Sequence, residues 1–97
     1  MKRNVLIIGA GGVAQVVAHK CAQNNDVLGD LHIASRTVSK CEAIIESVHA
    51  KGAMKQDGVF KAHAVDGMDS DAVEALINEL GVQIVINVGS PFVNMTV

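Results

Sequence analysis

The chain has 97 residues with 8 basic and 10 acidic side chains, a net charge of −2, so no basic excess points to nucleic acid or an anionic membrane. Apolar residues make up 49% but aromatics only 2%, which excludes base-stacking platforms and leaves Val, Ile, Leu and Ala to build the core. Every apolar run falls short of the roughly 18 residues of a membrane span, and two cysteines, Cys21 and Cys41, read as reduced, buried thiols of a cytoplasmic protein.

In chain order, Val5 to Ile8 form an apolar run stopped by Gly9, the pattern of a buried strand. A helix follows from Gly11, with Val13, Val17 and Cys21 on one stripe and Val16 and Ala18 beside it. Residues 24 to 30 carry turn chemistry, and Leu31 to Ser35 make the second strand. Ser35 or Thr37 caps a second helix through Cys41, Ile44, Ile45 and Val48, which Gly52 ends. After a polar loop, Val59 to Val65 form a third strand closed by Asp66-Gly67. Asp69 caps a third helix whose Val73, Leu76, Ile77 and Leu80 share a face, and Gly81 stops it. Val82 to Val88 is the fourth strand. The βαβαβαβ order predicts an α/β, Rossmann-type parallel sheet with right-handed crossovers, truncated after the fourth strand. A complete doubly wound domain continues further, so residues 1–97 read as the front of a larger protein.

Between the first strand and helix, Gly9-x-Gly11-x-x-Ala14 matches the dinucleotide-binding turn. Gly9 permits the tight turn, Gly11 lets a pyrophosphate approach the backbone, and Ala14 keeps helix and strand close. Gly12 adds backbone freedom, and the N–H groups at the start of the helix attract the phosphates.

The acid that binds an NAD ribose is expected about 20 residues beyond the glycines, which nominates Asp30 by spacing. Strand polarity rejects it, because Asp30 sits at the entry of the second strand and ligands bind outside the carboxyl ends. At that carboxyl end stand Ser35, Arg36 and Thr37, with Lys40 one turn onward. A guanidinium binds phosphate oxygens in a fork, so Arg36 predicts a 2′-phosphate and therefore NADP rather than NAD. Asp66, closing the third strand, is a candidate near adenine, although Asp is also ordinary turn chemistry. Asn87, after the fourth strand, is a candidate ribose ligand, with Gly89 and Ser90-Pro91 in the loop beyond it. His19, His32, His49 and His63 are scattered, with no ligand-type pairing to one another. No metal set and no nucleophile–base pair is found, so no catalytic residue is assigned in this chain.

With "GAGGVA" followed by "ASRT", the sequence resembles the amino-terminal cofactor domain of the saccharopine dehydrogenase family over essentially its whole length. Within that family it is most similar to the branch that forms carboxynorspermidine. The resemblance implies an NADPH-linked reduction of an imine formed from an amine and an amino-acid semialdehyde. It places Gly9, Gly11, Gly12 and Val13 at the pyrophosphate, Ser35, Arg36 and Thr37 at the 2′-phosphate, and Asp66 near adenine. The substrate would be held by a domain outside these residues, in a parent enzyme that forms a homodimer, and residues 1–97 alone would be inactive. Two other readings stand beside it: a nucleotide-sensing Rossmann module without chemistry, and an S-adenosylmethionine-dependent methyltransferase.

Overall fold

A computed structural model describes residues 3–54, 58–66 and 68–88. Four strands and three helices alternate: β1 Arg3–Ile8, α1 Gly12–Gln23, β2 Leu28–Ser35, α2 Val38–Ala50, β3 Phe60–Ala64, α3 Ser70–Leu80 and β4 Ile84–Asn87. All strand pairs are parallel, in the order β3-β2-β1-β4. The chain therefore winds outward in one direction from β1 and then crosses back to place β4 on its other side. That reversal creates a crevice at the carboxyl ends of β1 and β4, where open α/β sheets bind ligands.

Alternation along the strands sends neighbouring side chains to opposite faces. Val5, Ile7, Leu31 and Ile33 pack beneath α1 and α2 with Ala14, Ala18, Cys41, Ile44 and Val48. Leu6, Ile8, Ala34 and Val65 face the other way, toward Val73, Leu76, Ile77 and Leu80 of α3. Leu6 and Ile7 are completely buried, and each such side chain contributes about 1.5–3 kcal/mol.

The elements match the expected order but not every boundary. β2 begins at Leu28, three residues before the expected start, because Asp30 N–H donates to the Asn4 side chain (2.8 Å) and Arg3 pairs with Leu28 across a bulge. Asp30 thus lies inside the strand rather than before it. β3 and β4 are shorter than the apolar runs that announced them. The stripe expected on α1 is rotated: Val13 is 62% and Val16 60% exposed, while Ala14, Ala18, Cys21 and Ala22 are buried. Close approach of α1 to the sheet admits methyl groups there and turns the larger valines outward. Gly89, Ser90, Pro91 and the glycine of the Asp66-Gly67 turn lie outside the described residues.

Candidate cofactor site

The parallel sheet brings the ends of β1, β2, β3 and β4 to one edge, and a cleft of about 390 Å³ opens there. Ile8, Gly9, Ala10 and Gly11 line it from the first turn, and Ser35, Arg36, Thr37 and Lys40 from the second. Asp66, Met68, Asn87 and Val88 complete the wall. Residues separated by up to eighty positions in sequence thus meet on one surface because each follows a strand of the same polarity. Asp30 does not line it; five residues of strand, roughly 16 Å at the usual rise, separate Asp30 from the end of β2.

The glycines divide into two kinds. Gly9 has φ 123°, a conformation that side chains rarely adopt, and its N–H donates to the Ala34 carbonyl at 2.8 Å. Its role is in the fold, locking the first turn against β2. Gly11 has φ −87°, open to any residue, and a Cβ on Gly11 or Gly12 would meet nothing within 4 Å. Neither a positive φ nor packing demands glycine there; at the N-cap Gly11 is a better cap than alanine, and both bare Cα atoms leave room for a ligand to approach. Val13 follows on the exposed rim of α1, and Ala14 is fully buried between helix and sheet.

Gly11 caps α1 without a side-chain hydrogen bond, and no acid occupies the first turn. Thr37 likewise caps α2 without using its side chain, again with no acid in the first turn. By contrast, α3 is closed by Asp69, whose carboxylate accepts from Ala72 N–H at 3.1 Å. The two helices that begin at the cleft therefore keep unsatisfied N–H groups and uncompensated positive ends. Arg36 and Lys40 are exposed beside them, and neither side chain bonds to any described residue. Cations are poorly placed at helix starts, and a bound anion there would offset both.

Residues 5–97 match the family model described as the saccharopine dehydrogenase NADP binding domain. The chain belongs to that family. A carboxynorspermidine synthase of Vibrio alginolyticus is 56% identical over 94 residues, which cover 96% of this chain and 23% of the relative. A carboxyaminopropylagmatine dehydrogenase of Synechocystis is 40% identical over 88 residues, covering 91% of this chain and 20% of the relative. Among solved structures, apo saccharopine dehydrogenase (L-Glu forming) from Saccharomyces cerevisiae superposes with a TM-score of 0.65 at 25% identity, over 91% of this chain and 17% of that one. The chain therefore spans less than a quarter of the length of the relatives named.

Gly11 at the start of α1 and Arg36, which bonds to no other described residue, line one cleft. Asp66 lines the cleft, and its Oδ1 accepts Met68 N–H at 2.9 Å, which closes the local turn and leaves Oδ2 as a further acceptor. Asn87 ends β4 opposite Ile8 and lines the cleft. Ala10, Met68 and Val88 are lining residues that sequence reasoning missed, since apolar loop residues carry no chemical signature.

Outside the cleft lies a contact that the sequence did not announce. His32 Nδ1 and His63 Nε2 are 2.9 Å apart, with ring centroids 5.0 Å apart, so these two histidines are paired. Parallel pairing of Ala34 with His63 and His32 with Lys61 sets both rings on the α3 face. Burial lowers the pKa of His32, with the neighbouring His63 adding to the effect; burial also lowers that of His63. Among the described residues no group of three or more His, Cys, Asp or Glu side chains is arranged for a metal. His19 serves the fold, bridging the Gln15 carbonyl and the Ser47 hydroxyl. No described helix is long and apolar enough to cross a membrane.

Proposed function

We propose that these residues grip and orient NADP(H) for a parent oxidoreductase that reduces an imine, formed from an amine and an amino-acid semialdehyde. The observation that carries the reading is Arg36 at the carboxyl end of β2, bonded to no other described residue and beside the open start of α2. A carboxylate at that position would repel a 2′-phosphate; a guanidinium grips it through two parallel N–H bonds. The names of the relatives, a carboxynorspermidine synthase and a carboxyaminopropylagmatine dehydrogenase, support the amine substrate class.

In this reading, backbone N–H groups from Gly11, Gly12 and Val13 hold the pyrophosphate at the start of α1. Arg36, Thr37 and Lys40 hold the 2′-phosphate, Asp66 borders the adenine, and Asn87 holds the ribose of the second half. The bound cofactor supplies the hydride; the chain's own contribution is grip, orientation and choice of nucleotide. Substrate binding and any contact between subunits are assigned to the part of the parent protein corresponding to the remaining length of the relatives. The cytoplasm, where thiols such as Cys21 and Cys41 stay reduced, is its proposed location.

Calorimetric titration tests the assignment. Arg36→Ala should weaken NADP+ binding by about 1.5–3 kcal/mol, the range for hydrogen bonds to a charged group, and leave NAD+ binding nearly unchanged. Equal losses for both nucleotides would refute the role of Arg36, and binding of S-adenosylmethionine in their place would point to a methyltransferase.

A further inference from the structure

Directly behind Arg36, the Ser35 hydroxyl is the centre of a small closed network. It donates its one proton to the Thr37 carbonyl at 2.9 Å and accepts the Thr37 N–H at 3.1 Å. Its other lone pair accepts the Cys41 thiol at 3.3 Å. A hydroxyl offers one donor and two acceptor sites, so all three positions are occupied within the protein. In this arrangement Ser35 has no proton left for a phosphate, and its hydroxyl shapes the Ser35-Arg36-Thr37 turn. Cys41 itself is completely buried and does not line the cleft. It lies in the first turn of α2 and ties the start of that helix to the end of β2.

We propose that Cys41 is a positioning residue for cofactor choice: its thiol holds the Ser35 hydroxyl in the turn that presents Arg36 to the 2′-phosphate. The proposal rests on the assignment of Arg36 to that phosphate. The turn brackets Arg36 on both sides, so it fixes the backbone from which the guanidinium extends. Loosening it leaves the side chain in place but raises the entropy lost when it docks. Burial pushes the Cys41 thiol up, which keeps on the sulfur the proton that it donates. NAD lacks the 2′-phosphate and is indifferent to how Arg36 is held.

The test uses the full-length protein, titrated calorimetrically with NADP+ and NAD+, and compares Cys41→Ser, Cys41→Ala and Cys41→Val with Arg36→Ala. Serine keeps a donor, alanine removes it, and valine removes it while filling the space, which covers an alanine variant too unstable to purify. NADP+ binding should weaken about 3- to 10-fold in Cys41→Ala and Cys41→Val, the worth of one neutral hydrogen bond. NAD+ binding should stay within about twofold, and Cys41→Ser should bind both nucleotides as the parent does, a rescue that packing alone does not predict. If Arg36→Ala loses NADP+ selectively while the alanine and valine variants do not, the positioning role is wrong. Equal weakening of both nucleotides, or a serine variant as impaired as alanine, would also overturn it. Should Arg36→Ala itself show no selective loss, the assignment of the 2′-phosphate fails, and this proposal with it.

Discussion

Three glycines in four positions have different physical reasons to be glycine, and only coordinates separate them. Gly9 needs its positive φ for the turn, whereas Gly11 sits at φ −87° with open space where a Cβ would point. The sequence pattern announced both but could not say which serves folding and which serves the ligand. Gly11→Ala separates the two. Less freedom in the unfolded chain stabilises by about 0.4–1 kcal/mol, and a poorer helix cap costs a similar amount. The unfolding free energy should therefore move by less than about 1 kcal/mol in denaturant titration. The new methyl enters the space assigned to pyrophosphate, so NADP+ affinity should fall by about 1–3 kcal/mol, as in other overpacked sites. A variant that binds as tightly as the parent would remove Gly11 from the phosphate site. Ser35 and Arg36 were equally legible as residue types at a strand end, but the engagement of the Ser35 hydroxyl with Thr37 and Cys41 was not, because it depends on side-chain rotamers.

Among elements, strand order was readable from apolar runs and turn residues, while strand ends and lateral pairing were not. The early start of β2 depends on Asn4, a residue on another strand, and the His32–His63 contact depends on the register of β2 against β3. Two histidines thirty-one positions apart look unrelated until that register is known. Their contact has a consequence for pH. At 2.9 Å, one neutral ring donates to the other, and a second proton would set two donors against each other. Asp30 from β2 and Glu79 from α3 favour charging, Lys61 from β3 opposes it, and burial outweighs the acids, so both folded pKa values lie below 6.5. Unfolded histidine titrates near 6.5, so the unfolded chain binds more protons just below that pH. The pair's contribution is therefore fully present above about pH 6.5 and is lost as pH falls from there toward the folded values. Denaturant midpoints measured down through that window should fall less steeply in His63→Gln than in the parent. Parallel slopes in the two proteins would mean that the pair carries no linkage.

For the whole molecule, the two faces of the sheet are unequal. Among the described residues, twelve buried side chains form the core under α1 and α2, and four form the one under α3. None of the buried residues belongs to α3 itself; Val73, Leu76, Ile77 and Leu80 are half-buried. The stripe read from the sequence is thus the one that packs, yet its depth of burial was not legible, since amphipathic spacing gives direction and not the quality of the contact. Local closure holds α3 in place: Asp69 caps one end, and Gly81, at φ 63°, ends the other with its N–H on the Ile77 carbonyl. A cap supplies about 1 kcal/mol, less than the loss of even one large buried side chain. Opening of α3 should therefore cost less than opening of the β1–β2 pair, whose Leu6, Ile7, Leu31 and Ile33 are fully buried. Native-state hydrogen exchange of this chain should show α3 amides exchanging through a lower-energy opening than β1 and β2. The glycine turn and Arg36 follow β1 and β2, so the phosphate-binding corner stays on the more stable unit while α3 opens. Equal protection of α3 and β1 would instead make the sheet and both of its faces one cooperative unit.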